Sequence, residues 1–466
     1  MRPSHRPAGI LGFTLVWAGQ IVSVLASSAT SFALTLWAYQ TTGSATALGV
    51  ISMSFLIPYL VLAPIAGVMV DRYNRKLMMM VSDIAAAAGT VAILILHATG
   101  GLEIWHLYLT AVLIGLGNTF QWPSYSAAIS TMVPKEHLQR ANGMMTLVES
   151  GPGVVAPILA GALYPIVGLA GILILDIATF AVAIGVLAFV RIPTPARSAD
   201  GTAAQGRFLR EAVYGFGYIF QRKGLLKLLV FFTVLNCFNG VWALASPFVL
   251  ARTGNQSATL GAVMSACAIG GVASGLLLAV WGGFRRRMAS IFVGEIIFGL
   301  VGITLFGLGR GLSIWIPAAA VGTMAVSLSN GAALAILQAK VSPDIQGRVF
   351  SARRLFSWSV TPITPVVYGV LADYVAEPAM AAGTGLARAF GWLVGTTPGS
   401  GMALLFTGAG LAYVLVALFV LFFVRDVRRL ESAWPDHDAA CAAPPNAERG
   451  ETGDTAYTPR LERSDR

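Results

Sequence analysis

Residues 46–97 read TALGVISMSFLIPYLVLAPIAGVMVDRYNRKLMMMVSDIAAAAGTVAILILH, two apolar blocks separated by a short charged turn. Each block is long enough to cross the hydrocarbon core of a bilayer as a helix, which takes about 20 residues. Neither block alternates apolar and polar residues as a strand of a membrane barrel does. Because backbone polar groups inside lipid must pair within the chain, the pattern predicts two transmembrane helices joined by a turn.

The same pattern continues along the 466-residue chain. Apolar residues make up 56% and charged residues 11% of it, against about a quarter charged residues in a soluble domain. We therefore predict an all-α, polytopic membrane protein with twelve transmembrane helices. These helices, named span 1 to span 12, are predicted at residues 11–39, 46–70, 77–97, 105–122, 142–164, 168–190, 226–250, 257–281, 288–308, 313–337, 352–375 and 403–424.

Basic residues concentrate in every second connection between these spans. Of the 31 lysines and arginines, only Arg252, Arg310 and Arg388 fall in the other set of connections. Since Lys and Arg are enriched in cytoplasmic loops, the basic set is predicted to be cytoplasmic. Both termini then lie in the cytoplasm and the protein sits in the cell membrane. The net charge of +10 reflects this topology, so no nucleic-acid partner is expected.

The spans fall into two groups of six. We predict an N-terminal six-helix bundle at 1–190, a cytoplasmic linker at 191–225 with an amphipathic helix at 207–222, a C-terminal six-helix bundle at 226–425 and a disordered tail at 426–466. At one constant offset, Pro157 pairs with Pro365 and Gly161 with Gly369, which indicates pseudo-symmetric bundles. Parallel repeats of this kind build transporters whose substrate site lies between the halves.

The turn between spans 2 and 3 carries a motif, GVMVDRYNRK at 67–76. It resembles the G-x-x-x-D-R-x-x-R-[KR] signature of the major facilitator superfamily. The resemblance implies a cytoplasmic latch, in which a carboxylate pairs with the positive end of span 11. The latch residues would be Gly67, Asp71, Arg72, Arg75 and Lys76, with Arg353 and Arg354 on span 11. The alternative is that these cations only determine topology.

Within the superfamily, the chain resembles the exporters of drugs and siderophores that include macrolide efflux and enterobactin export proteins. The run PSYSAAISTMVPKEHLQRAN at 123–142 and the surroundings of Gly215 carry this resemblance. The predicted outer segment 376–402 is similar to that of transporters associated with nonribosomal peptide synthetases. The resemblance implies export of a drug, a siderophore or a peptide-like natural product.

Span 5 is similar to the antiporter signature G-P-x-x-G-G, with Ala156 and Ala160 in place of two glycines. Proline and glycine loosen a helix and allow it to bend. The resemblance implies a hinge formed by Gly151, Pro152, Gly153, Pro157 and Gly161. Close packing of helices is the alternative explanation for the same residues.

Four acidic residues within the predicted spans stand out: Asp83, Glu149, Asp176 and Glu295. Such residues are costly in lipid and usually functional. Spans 3, 6 and 9 are peripheral in the superfamily, so we expect structural hydrogen bonds from Asp83, Asp176 and Glu295. Span 5 borders the central cavity, and Glu149 is therefore the predicted site of proton coupling. The span 4 arginine of many drug–proton antiporters is absent, since Ala111 stands in its place.

Spans 1, 4, 7 and 10 line the cavity in this superfamily. Their polar and aromatic residues are the predicted substrate contacts: Gln20, Ser27, Ser31, Asn118, Gln121, Asn236, Asn239, Trp242 and Asn330. Amides and aromatics without a fixed cation suit a large amphipathic or cationic solute. For each residue alone, a helix–helix hydrogen bond is the alternative.

The sequence contains no Walker loop, no H-E-x-x-H motif, no paired catalytic acids and no metal-ligand cluster. We therefore expect no enzyme activity, no metal and no cofactor. The leading hypothesis is a monomeric, proton-driven exporter of a small molecule. The alternatives are an uptake or nutrient facilitator on the same fold, and a membrane enzyme or non-transporting sensor.

The topology can be tested with a cysteine at Ser198 in the linker. We expect no labelling of Ser198→Cys by a membrane-impermeant maleimide in intact cells, and labelling after permeabilisation. A cysteine introduced within 376–402 is the control and should label without permeabilisation. Labelling of Ser198→Cys in intact cells would contradict the twelve-span topology.

Overall fold

The computed structural model describes the backbone of residues 9–72, 74–133, 138–190, 192, 216–281, 286–341, 346–381 and 385–433, with most of their side chains. Every regular element within these ranges is helical. The prediction of an all-α fold is therefore confirmed for the described part of the chain.

In the N-terminal half, the helices are Gly9–Thr42 (span 1), Ala45–Arg72 (span 2), Arg75–Ala98 (span 3) and Ile104–Met132 (span 4). A further helical stretch, Leu138–Phe189, contains spans 5 and 6. The two are separated at Gly168, whose φ of 64° and ψ of −171° are not helical. A positive φ favours glycine, because other residues clash with their own backbone there.

In the C-terminal half, several spans are interrupted. Span 7 comprises Lys223–Asn239, a 3₁₀ segment Gly240–Leu244 and Ala245–Thr253. Spans 8, 10 and 12 are Ser257–Trp281, Leu312–Lys340 and Ser400–Phe423. Span 9 comprises Arg287–Ile297, a π-helical segment Phe298–Leu305 and Phe306–Leu308. Span 11 comprises Gln346–Trp358, Thr364–Val370, the π-helical Leu371–Ala376 and Glu377–Ala381, and the helix Gly385–Val394 follows it.

Among the described residues, nine helical stretches are long and apolar enough to cross a membrane. The longest of them, Gly151–Phe189, holds both span 5 and span 6. Span 4 and the subdivided span 11 complete the predicted set of twelve. The predicted domain limits stay predictions, because residues 193–215 and 434–466 lie outside the described residues. Of the predicted amphipathic helix at 207–222, residues 216–222 are described, and 216–221 are helical.

The two halves contact each other through two equivalent pairs of spans. A methyl group added at Gly49 of span 2 would lie 2.6 Å from the carbonyl oxygen of Pro365 in span 11. A methyl group added at Gly261 of span 8 would lie 2.4 Å from the carbonyl oxygen of Pro157 in span 5. The prolines that pair in the internal repeat therefore have the same packing role, each against a glycine of the other half.

We expect Gly261→Ala to lower the thermal stability of the protein, because the added methyl group overlaps a backbone atom. Overpacking of this kind costs about 1–3 kcal/mol. The control is Gly275→Ala in the same helix, where nothing lies within 4 Å of the added group. Since alanine favours helix over glycine by about 1 kcal/mol, the control should match or exceed wild-type stability. The unfolding midpoint of the purified protein in detergent measures both, and equal midpoints would contradict the prediction.

Candidate substrate cavity

A cavity of about 650 Å³ lies among spans 1, 2, 3, 4, 6 and 7. The N-terminal half supplies most of its wall. From the C-terminal half, span 7 contributes Trp242, Ala243 and Ser246. Among the described lining residues the charged groups are Asp83 and Asp176, and none is basic. The wall thus combines apolar surface with two carboxyl groups.

Asp83 is buried in the wall, with 5% of its surface exposed. The side-chain amide of Gln20 donates to its Oδ2 at 3.0 Å, and the amide of Gln121 donates to its Oδ1 at 2.9 Å. The Gln121 amide also donates to Gln20 Oε1 at 3.0 Å. We name Gln20, Asp83 and Gln121 the Asp83 cluster, and it joins spans 1, 3 and 4.

Asp176 is buried more deeply, with 1% exposed. The Ser27 hydroxyl donates to its Oδ1 at 2.9 Å, and the Thr90 hydroxyl donates to its Oδ2 at 3.3 Å. We name Ser27, Thr90 and Asp176 the Asp176 cluster, and it joins spans 1, 3 and 6.

The two clusters lie at different depths. Gln20 and Ser27 are two helical turns apart on span 1, and Asp83 and Thr90 have the same separation on span 3. At 1.5 Å per residue, two turns correspond to about 10 Å along the axis. Spans 1 and 3 run in the same direction, so the two carboxyl groups occupy successive levels of the cavity wall.

Six of the nine predicted substrate contacts line this cavity: Gln20, Ser27, Ser31, Asn118, Gln121 and Trp242. The other three do not. Asn236 instead donates to the Ser357 carbonyl at 2.9 Å, between spans 7 and 11. Asn239 is partly buried, and Asn330 of span 10 is exposed. The lining therefore comes mainly from one half.

The expectation that spans 3 and 6 are peripheral does not hold for Asp83 and Asp176. Both make the expected structural hydrogen bonds, and both also line the cavity. The sequence did contain a signal for the cavity-lining role of Asp83 and Asp176, because polar residues recur two helical turns apart on both span 1 and span 3. Glu295, by contrast, is fully buried away from the cavity, where Ser329 and Tyr413 donate to it.

The predicted coupling residue, Glu149, belongs to the helix Leu138–Phe189, but its side chain lies outside the described residues. The same holds for the side chains of Asp71, Arg72 and Arg354 in the predicted latch, and the surroundings of Gly67 are likewise not described. The latch and Glu149 coupling therefore stay predictions.

On the turn between spans 2 and 3, the latch residues whose side chains are described are Arg75 and Lys76. On span 11, the described latch residue is Arg353, and it is partly buried. The Lys76 ammonium group donates to the carbonyls of Ala188 and Val190, at 2.9 and 3.0 Å. Lys76 thus ties the start of span 3 to the end of span 6 within the N-terminal half.

Backbone dihedrals depart from helical values at Gly168 rather than at the predicted hinge of span 5, which consists of Gly151, Pro152, Gly153, Pro157 and Gly161. Two of these residues pack closely on span 8. Pro157 meets Gly261, and a methyl group added at Gly161 would lie 2.8 Å from the Ser257 carbonyl oxygen. Bending at these positions stays a prediction.

A carboxylate joins the halves at the end of the bundle that carries the turn between spans 1 and 2. Asp373 of span 11 accepts hydrogen bonds from the Ser44 hydroxyl at 2.6 Å and from the backbone N–H groups of Ala45 and Thr46 at 3.0 and 2.8 Å. These groups form the first turn of span 2, whose helix dipole attracts negative charge. Asp373 therefore caps a helix of the opposite half.

The chain is similar in sequence to known membrane transport proteins. The sequence profile of the Major Facilitator Superfamily matches residues 16–365. Macrolide efflux protein A of Streptococcus pyogenes is 28% identical over 368 residues, which cover 78% of this chain and 90% of that protein. Multidrug efflux pump Tap of Mycolicibacterium fortuitum is 24% identical over 341 residues, covering 72% and 82%.

Solved structures share the fold. An inward-facing bacterial homologue of the human lysosomal transporter Spinster matches with a TM-score of 0.68 and 16% identity, covering 91% of this chain and 98% of that one. An inward-facing bacterial homologue of the iron transporter ferroportin matches with a TM-score of 0.61 and 15% identity, covering 88% and 98%. At these identities the likeness concerns the fold alone.

We expect Asp373→Asn to open the cavity more often toward the end capped by Asp373, because it weakens the cap between the halves. Asparagine can still accept hydrogen bonds, but loss of the negative charge at this helix end costs about 0.3–1 kcal/mol, which corresponds to a change in population of up to approximately fivefold. Labelling of Ser31→Cys in a cysteine-free background, by an impermeant maleimide added outside, should accelerate accordingly.

The control for this variant is Glu377→Gln. Glu377 accepts from the backbone N–H groups of Gly399 and Met402, at 3.1 and 2.8 Å, within the C-terminal half. It should leave the labelling rate unchanged. Equal rates in Asp373→Asn and the wild type would show that the Asp373 cap does not hold this end closed.

Proposed function

The chain belongs to the major facilitator superfamily, and we propose that it exports an amphipathic small molecule from the cell by proton antiport. The observation that carries the proposal is the cavity, whose wall combines apolar side chains with hydroxyl, amide and two carboxyl groups and has no basic residue among its described lining. Because the chain belongs to this superfamily, it is a membrane transporter rather than an enzyme. The efflux names of two relatives support the outward direction.

The proposed substrates are lipophilic drugs, siderophores or peptide-like natural products. A cavity of about 650 Å³ matches the size range of sites for drug-sized ligands. Because the N-terminal half supplies the carboxyl groups and span 7 supplies Trp242, a bound substrate would touch both halves. Substrate binding can then favour one arrangement of the halves over another.

The proposed mechanism is alternating access by a monomer in the cell membrane, with both termini in the cytoplasm. At the outer end, the Asp373 cap and the paired glycine contacts support a closed arrangement. At the cytoplasmic end, the predicted latch around Asp71 would close the cavity in the opposite state. Each closure would form as the other opens.

Proton entry would supply the driving force. A charge moved through 100 mV gains about 2.3 kcal/mol. Some carboxyl group must bind the proton on one side and release it on the other. We propose Glu149 of span 5 for this role. The geometry of the cavity offers Asp176 as the second candidate, because its partners are hydroxyls, which can accept as well as donate hydrogen bonds.

We expect Glu149→Gln to bind substrate normally but to lose uphill export, while it retains downhill exchange, because glutamine cannot titrate. Reconstituted vesicles with an imposed pH gradient and radiolabelled erythromycin, a lipophilic amine, measure accumulation and exchange separately. Wild-type vesicles without a pH gradient are the control.

Three outcomes would redirect the proposal. If Glu149→Gln accumulates erythromycin like the wild type and Asp176→Asn does not, the coupling group is Asp176. If accumulation of erythromycin by the wild type does not depend on the pH gradient, the proposal of proton antiport is wrong. If deletion of the gene removes growth on one nutrient and leaves drug resistance intact, the chain is an uptake facilitator.

A further inference from the structure

We propose that the helix Gly385–Val394, which we name the rim helix, docks on the surface of the bilayer and anchors one end of the C-terminal half to lipid. Its partner is the leaflet at that end, with acyl chains beneath the helix and headgroups beside it. The cavity and the proposed closures do not involve this helix. Docking is also independent of which substrate the protein transports.

The rim helix is an addition that the fold does not need. In the internal repeat, the connection between spans 5 and 6 corresponds to the connection between spans 11 and 12. In the N-terminal half, this connection is a turn at Gly168 with helix on both sides. In the C-terminal half, it contains the rim helix. Because a short turn is enough to join two such spans, the additional helix requires another explanation.

Two arginines from other connections hold the C-terminal end of the rim helix. Arg252, at the end of span 7, donates to the Val394 carbonyl at 2.6 Å and to the Thr397 hydroxyl at 2.9 Å. Arg310, between spans 9 and 10, donates to the Leu393 carbonyl at 3.4 Å. Cations at this end satisfy free carbonyls and interact favourably with the helix dipole. The helix is therefore fixed to the ends of three spans.

The rim helix lies at the edge of the bundle rather than over the cavity. It contacts span 12 and the last turn of span 9, Phe306–Leu308. None of its residues belongs to the described lining of the cavity. Spans 9 and 12 expose apolar side chains such as Leu305 and Leu415, which a membrane would cover. The rim helix therefore lies where two lipid-facing spans end.

One flank of the rim helix is apolar and exposed. Ala387 and Val394 are buried and mark the side that faces the bundle. At 3.6 residues per turn, Leu386 and Phe390 lie together to one side of that face. Their exposed fractions are 41% and 39%. This flank would face water if no lipid covered it, and it is continuous with the apolar ends of the spans.

The opposite flank carries a cation and an indole. Arg388 and Trp392 lie four residues apart on it, and 77% of the Trp392 surface is exposed. Tryptophan is enriched at membrane–water interfaces. A helix with apolar side chains on one face and basic residues on the other lies in the plane of the interface. The arrangement fits a helix whose apolar flank enters the acyl chains while Arg388 reaches the phosphates.

The three arginines outside the basic set of connections thus have one feature in common. Arg252 and Arg310 hold the rim helix, and Arg388 lies on it. Since span 7 ends at the Arg252 contact and carries Trp242 into the cavity wall, the docked helix links lipid to a span that lines the cavity.

Spin labels on single cysteines test the docking. The full-length chain, in a cysteine-free background, is reconstituted into vesicles of equal parts phosphatidylcholine and phosphatidylglycerol. Label collisions with oxygen, which concentrates in lipid, are compared with collisions with a water-soluble nickel chelate. At Phe390→Cys, the ratio of oxygen to nickel collision rates should approach that at Leu415→Cys of span 12. It should be severalfold higher than the ratio at Arg388→Cys, on the opposite flank of the same helix.

Two results would overturn the proposal. Equal ratios at Phe390→Cys and Arg388→Cys would show that the apolar flank lies in water. Low collision rates with both reagents at Phe390→Cys would show that protein covers this flank, either from the same chain or from a second copy. Size-exclusion chromatography verifies that the labelled chains are folded.

A pair of serine variants tests whether the apolar flank holds the helix on lipid. Leu386→Ser should lower the ratio of oxygen to nickel collision rates at Phe390→Cys toward the value at Arg388→Cys, because it removes half of the exposed apolar pair. Ala389→Ser keeps that pair and should leave the ratio unchanged. An equal ratio in both serine variants would show that the apolar flank does not anchor the helix, and the proposal would fall.

Discussion

The arrangement of the N-terminal half depends on one constraint, that a carboxyl group at lipid depth must find hydrogen-bond donors inside the protein. Asp83 takes its donors from spans 1 and 4, and Asp176 takes its donors from spans 1 and 3. These requirements fix the rotation of four helices about their axes. They also explain why the polar residues of that half converge on one cavity rather than facing lipid.

The contacts between the halves obey a different rule. Spans 2 and 11 and spans 5 and 8 meet where a glycine of one half lies against a proline carbonyl of the other. Small residues allow such close approach in membranes. The contact between spans 2 and 11 also includes the Asp373 cap. In the contact between spans 5 and 8, the Ser257 hydroxyl donates a hydrogen bond to the Gly161 carbonyl at 3.0 Å. The backbone packing is symmetric, and the polar groups that secure it are not.

Much of the fold could be predicted from the sequence, because span length, charge segregation and the repeat all follow from the bilayer. The segmentation of spans 7, 9 and 11 could not, since it depends on local packing that no apolar run reveals. For the site, amides on spans 1 and 4 indicated a polar wall. The place of Asp83 and Asp176 in that wall was missed, because it depends on how spans 3 and 6 are rotated.

The one-sided cavity has an evolutionary consequence. The polar residues that line the cavity lie almost entirely within the first half of the chain, while span 7 contributes Trp242, Ala243 and Ser246. Point mutations in the first half can then broaden or redirect the range of compounds handled without disturbing the second.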